Sequence, residues 1–124
     1  MNARFNDEGT LAHDSLLAGG FPRVERKVTI ASGAGALERG SVLADDGAGK
    51  LVLVNANSAT AETQDPLHVL AHDVDAAAAD AEAIVYDTGE FNDAALTFGG
   101  TDDADTHRAA LRALGIHLHT NTGA

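Results

Sequence analysis

From residue 23 onward, apolar and polar positions mostly alternate, which is the period of strands rather than helices. Val24, Val28 and Ile30 share a face with Arg26 and alternate with Glu25, Lys27 and Thr29, predicting a half-buried strand over 24–30. The stretch ASGAGALERG then punctuates with three glycines and reads as a flexible connection. Ser41–Ala44 predicts a short strand, Asp46-Gly47 and Gly49 a turn, and Lys50–Asn55 (KLVLVN) a strong strand. Ser58–Pro66 is a polar loop. Leu67–Val74 predicts another strand, with Leu67, Val69 and Ala71 on one face. Asp75–Ala83 is rich in alanine, and Asp75 offers an N-cap for a short helix. The segment has only two turns and no bulky apolar stripe, so a loop or irregular turn is expected. Ile84–Tyr86 resumes the strand pattern, Gly89 breaks it, and Leu96–Phe98 is a further short strand before Gly99-Gly100.

One segment is convincingly helical. Asp102 or Asp103 can cap its start, and Ala104, His107, Leu111 and Leu114 share a face. Arg108 and Arg112 lie toward the end where cations are favoured, and Gly115 stops it. Ile116 and Leu118 then alternate with His117 and His119 as a last strand or extended tail. Taken together, the elements predict an α+β, mostly β fold with one C-terminal helix.

Residues 1–22 have no such period. Leu11, Leu16, Leu17 and Phe21 are scattered among Asn, Asp, Gly and His, and Gly19-Gly20 precedes Phe21-Pro22. This predicts an N-terminal arm outside the core, over 1–22, followed by a single body over 23–124. Fully extended, such an arm reaches about 70 Å. Phe21-Pro22 suits a hinge, because the residue before proline favours extended backbone.

Composition narrows the function. Of 124 residues, 25 are alanine and only 30 are larger apolar types, so the core is thin and burial against further copies is an expected remedy. No cysteine is present, which removes disulfides, thiolate nucleophiles and cysteine zinc sites. Apolar runs such as Leu51–Val54 are far too short to span a bilayer, and MNARFNDEGT has no secretory apolar stretch. The net charge is −11. Residues 1–60 carry 6 basic and 7 acidic side chains, net −1, and residues 61–124 carry 2 basic and 12 acidic, net −10. Nucleic acid and acidic membrane surfaces are therefore not expected partners. The near-neutral half is the one that can approach an acidic partner.

Candidate chemistry is sparse. Asp87-Thr88-Gly89 after Ala83–Tyr86 matches the D-T-G of aspartic proteases, which share a proton between two such carboxylates in a dimer. Glu90 follows where a small residue normally fits, and a strand end with a glycine turn is the better account. His117 and His119 would share a strand face as metal ligands can, whereas His68 and His72 would do so only on a helix; Asp73 or Asp75 cannot be placed beside them. Asp45-Asp46-Gly47 lacks the spacing of a calcium loop and reads as a hairpin turn. Ala31–Gly35 lacks the Lys-Ser/Thr of a phosphate loop. No nucleophilic triad stands out, and no catalytic residue, metal site or cofactor is expected.

Several blocks in order carry a resemblance. LAGGFPRVERKVTI, ASGAGALERGSVL, VLAHDVDAAAADAEAIVYDTGEFN and RAALRALGI, together spanning roughly residues 15–118, resemble the lambda-type head decoration proteins of tailed bacteriophages. The resemblance implies a small β-tulip fold and a homotrimer. It implies a position on the outer surface of the expanded capsid, at three-fold and quasi-three-fold axes, where the protein cements the shell against packaged DNA after synthesis in the host cytoplasm. It also implies that the partner is the major capsid (coat) protein, whose strands the arm joins. Leu16, Leu17, Phe21, Pro22 and Val24 are then the expected capsid contacts, with Arg23 as a polar partner. Two other readings stay open: a dimeric aspartic protease using Asp87, and a soluble oligomeric protein-binding module outside a virion.

Overall fold

The computed structural model describes residues 16–120. The rest of the expected arm, 1–15, with Leu11, lies outside them. Among the described residues eight strands and one α-helix follow in order, with short 3-10 turns at Ala61–Gln64 and Asp93–Ala95: β1 Val24–Ile30, β2 Gly35–Leu37, β3 Val42–Asp45, β4 Leu51–Leu53, β5 His68–Leu70, β6 Val74–Ala76, β7 Ala81–Asn92, α1 Ala104–Ala113 and β8 Ile116–His119. The α+β, mostly β expectation holds.

The strands close on themselves. Sheet order runs β1-β4-β3-β5-β7, and β7 pairs back onto β1, making a small barrel with no long free edge around most of its wall. The closing pair is antiparallel from Ile30↔Ala81 to Val24↔Thr88. The contact between β1 and β4 is a single parallel step, Ile30↔Leu51. The far half of β7 leaves the barrel and pairs in parallel with β8, from Gly89↔Ile116 to Asn92↔His119. β2 and β6 form a separate two-stranded sheet, Gly35↔Ala76 to Leu37↔Val74.

Side-chain alternation splits the core in two. On β3, Val42 and Ala44 point into one cluster, with Val69, Tyr86, Phe91, Leu111 and Ile116, while Leu43 points into the other, with Ile30, Leu51, Leu70, Ala83 and Val85. α1 covers the first cluster through Leu111 and His107, which are both buried.

Several predicted boundaries shift. The glycine-rich stretch after β1 is not merely a connection, because its residues 35–37 pair with β6. The expected strand 67–74 is interrupted, since β5 ends at Leu70 and β6 begins at Val74. The expected loop 75–83 is partly strand at both ends. Ala76 and Ala83 are buried there in one cluster, and pairing of their segments with β2 and β1 overrides alanine's helical propensity. Leu96–Phe98 contributes only an isolated bridge, Ser41↔Thr97.

Gly89 does not end its strand. β7 passes through it with φ of +150°, and a Cβ there would lie 2.8 Å from Phe91 Cζ. Just before it the β1–β7 register slips: Glu25 faces Tyr86 and Val24 faces Thr88, leaving Asp87 as an extra, bulged residue. The bulge reverses the facing of the later β7 residues, so Tyr86 and Phe91 enter the same cluster and their rings lie 5.4 Å apart. At the helix start the two candidate caps divide the work. Asp103 forms a capping box with Thr106, and buried Asp102 instead accepts from Ala56 N–H (2.7 Å) and faces His107 Nε2 (2.7 Å).

Candidate functional site

The expected contact residues sit where the chain enters the barrel. Asn92 N–H donates to the Leu16 carbonyl (2.7 Å), Ala18 N–H donates to the Glu90 carbonyl (3.0 Å), and Leu17 bridges Phe91 antiparallel. The incoming chain thus covers the edge of β7 that β8 leaves open. Leu16 follows its backbone inward and is 2% exposed, in the cluster with Phe91 and Leu111. This corrects the expectation that everything before residue 23 stays out of the core. Leu16 is a core residue, and Leu17 is half-buried beside it.

Residues 19–23 then detour around the edge, held mainly by side chains of β7. Glu90 Oε1 accepts from Phe21 N–H (2.8 Å), and its carboxylate packs so close to Gly19 that a side chain there would collide with it. Thr88 Oγ1 donates to the Pro22 carbonyl (2.8 Å) and accepts from Val24 N–H (3.1 Å). Thr88 and Glu90 are two apart on one strand face, so together they form a clamp for the detour. The sequence offered no signal for it beyond that Thr-x-Glu spacing.

Phe21, Pro22, Arg23 and Val24 are all exposed. The Phe21 ring meets His117 edge-on at 4.6 Å. Together they flank a groove of about 450 Å³ lined also by Glu90, Arg108, Arg112, Leu118 and His119. His119 Nε2 lies 2.9 Å from Glu90 Oε2. The Phe21 N–H first, and then His119, hold the Glu90 carboxyl below the usual glutamate range. Arg108 is occupied by Asp93 (3.0 Å) and Asp105 (3.1 Å), with Asp93 the stronger cause of its raised pKa.

The other candidates have structural partners. Asp87, on the bulge, accepts from Arg26 Nε at 2.7 Å, and its second oxygen lies 2.7 Å from His68 Nδ1 without hydrogen-bond alignment. Burial pushes the His68 pKa down more strongly than Asp87 raises it. His72 accepts from Ile84 N–H at Nε2 and donates from Nδ1 to the Asp73 carbonyl, well apart in role from His68. Asp45 and Asp46 close their own hairpin turn by accepting from Gly47, Ala48 and Lys50 N–H. Among the described residues no three ligating side chains converge as a metal site, and no helix is long and apolar enough to cross a membrane.

The sequence profile of the bacteriophage lambda head decoration protein D family matches residues 7–119, which takes in the clamp, the barrel, the helix and β8. No curated protein matches the chain as a relative. With nearly its whole length inside that profile, the chain belongs to the family of the bacteriophage lambda head decoration protein D.

Proposed function

We propose that this protein is a homotrimeric cement on the outer surface of the expanded phage capsid, sitting at three-fold and quasi-three-fold axes and docking through residues ahead of β1 onto the coat protein. Its family is one of capsid decoration, a structural role in the virion. The observation that carries the finer reading is the clamped entry segment. Leu16 pins it to the core, Thr88 and Glu90 hold its backbone, and Phe21, Pro22, Arg23 and Val24 are left facing outward.

An extended segment of this kind suits strand addition, in which main-chain hydrogen bonds give affinity and alternate side chains give specificity. Pinning its root lowers the ordering cost on docking. Three such segments on one trimer bind with avidity, so modest contacts per subunit give slow release. Binding that favours the expanded shell stabilises it by about 4 kcal/mol per site at a thousandfold excess over the dissociation constant.

The test removes residues 1–15 and keeps Leu16, so that the core is intact. The truncated protein is expected to sediment as a folded trimer and to leave expanded shells undecorated. Full occupancy by the truncated protein would refute docking through residues 1–15, and a monomer mass for the full chain would refute the trimer.

A further inference from the structure

Seven lysines and arginines fall among the described residues, and five of them have partners within the chain. Arg26 pairs with Asp87, Lys27 with Glu82, Lys50 with Asp80 and Arg108 with Asp93 and Asp105, while Arg39 bonds the Ala71 carbonyl and Tyr86 hydroxyl. Arg23 and Arg112 have no ion-pair partner among the described residues. In a chain of net charge −11, two guanidinium groups without an ion pair among the described residues are conspicuous.

The two lie at one corner. The Arg23 stem runs over Gly89, while Arg112 lines the groove beneath Phe21. Three large apolar side chains remain exposed among the described residues, Phe21 (38%), Val24 (51%) and Leu114 (42%), and each is, or adjoins, a residue that meets Thr88. Val24 is the register partner of Thr88, the Pro22 carbonyl beside Phe21 accepts from its hydroxyl, and a Cβ on Gly115, next to Leu114, would meet its methyl at 3.2 Å. The carboxylate already in the groove, Glu90, is engaged by Phe21 N–H and His119.

Resting on the docking role proposed above, we infer that this corner receives an acidic segment of the coat protein, with a carboxylate on Arg112, a second on Arg23 and an apolar side chain between Phe21, Val24 and Leu114. Charge complementarity argues for that occupant. Guanidinium groups match carboxylates bidentately, and these two are Lys/Arg side chains with no ion-pair partner among the described residues. Apolar neighbours exclude water around the pairs and strengthen them.

The experiment measures binding of the full chain to expanded, undecorated shells assembled from the cognate coat protein, by pelleting, with native mass followed in parallel. Arg23→Glu and Arg112→Glu are each expected to weaken binding about tenfold or more, the loss of one charge-assisted contact. Arg112→Lys should retain part of the affinity, wild-type binding should weaken as salt rises, and the native mass should not change. Charge-reversed variants that bind as wild type overturn this inference and leave docking through residues 1–15 standing. A changed native mass overturns it as well, because the corner would then join copies of this chain. A wild-type protein that ignores the shells removes the docking role itself.

Discussion

Replacing Leu16 with alanine tests whether the entry segment belongs to the body. Its side chain is 2% exposed and packs with Val42, Phe91, Leu111 and Ile116. Losing a fully buried leucine forfeits about 2 kcal/mol of transfer free energy, and the cavity left behind adds to this. The walls of that cavity are strand residues fixed by the barrel, which collapse poorly, so the total is expected at about 3 kcal/mol. The main-chain bonds from Asn92 N–H and to the Glu90 carbonyl do not depend on the side chain and should survive. Urea unfolding at fixed protein concentration reads the effect: with a slope of about 2 kcal/mol/M, the midpoint falls by about 1.5 M. Fixed concentration matters because assembly shifts apparent stability by mass action. Leu17→Ala, at a half-buried position, serves as the comparison and should cost about 1 kcal/mol. If Leu16→Ala unfolds within about 0.3 M of wild type, a displacement within extrapolation error, then the segment is not part of the core and the pinning argument fails.

Three further outcomes rest on particular contacts. Because the Glu90 carboxyl is held below its ordinary range by Phe21 N–H, its contribution is present at neutral pH and is lost as pH falls through that lowered value. The Phe21 amide resonance should therefore titrate in acid, below the usual glutamate inflection, and an inflection at or above the usual value contradicts the clamp. Gly89→Ala forces a Cβ toward Phe91 Cζ at a φ of +150° and should cost more than about 2 kcal/mol in thermal unfolding. Gly33→Ala, where nothing lies within 4 Å, should cost about 1 kcal/mol, the backbone strain alone. Equal losses at the two sites would remove the steric argument. Asp102→Ala leaves Ala56 N–H and His107 without their buried partner and should cost about 3 kcal/mol, against about 1 kcal/mol for the cap Asp103→Ala. Melting curves that reverse this order would show that the two aspartates have been assigned the wrong roles.

Where bulky residues alternate, the pattern of the sequence predicts the fold well. Val24–Ile30 is a strand to the residue, and the helix has its start at Asp103 and its stop at Gly115 as expected. These elements are specified locally, by period and capping. The misses lie where alanine and glycine dominate. Residues 74–76 and 81–83 carry no bulky pattern, and what makes them strand is pairing with β2 and β1, distant in sequence. Leu16 is illegible as a core residue because the short run Leu16-Leu17-Ala18 between polar residues and glycines has no period; only the open edge of β7 gives it somewhere to go. Phe21 through Val24 are exposed, although the strand pattern puts Val24 on an apolar face, and nothing in the sequence links Arg112 and His117 to them. That link exists because β8 lies in parallel beside the far half of β7.

The tetrapeptide Asp87-Thr88-Gly89-Glu90 shows why a short motif misleads. Read alone, it suggests a catalytic carboxylate. In the fold each of its residues serves the junction between entry segment and barrel. Asp87 bulges out to meet Arg26 and His68, Thr88 ties Pro22 and Val24, Gly89 lets the Phe91 ring fold back, and Glu90 holds Phe21 and His119. The contacts to Phe21, Val24 and Arg26 cross 69, 64 and 61 residues of sequence. A motif of four residues cannot encode such partners, because their proximity is set by the closure of β1 onto β7. The carboxylate of Asp87 is therefore committed to a cation in the barrel wall, and the same closure that commits it also presents Phe21, Arg23 and Val24 at the surface. Structure at the bulge and exposure at the corner are two consequences of one strand pairing, so a substitution that loosens the bulge should also disturb the proposed docking face.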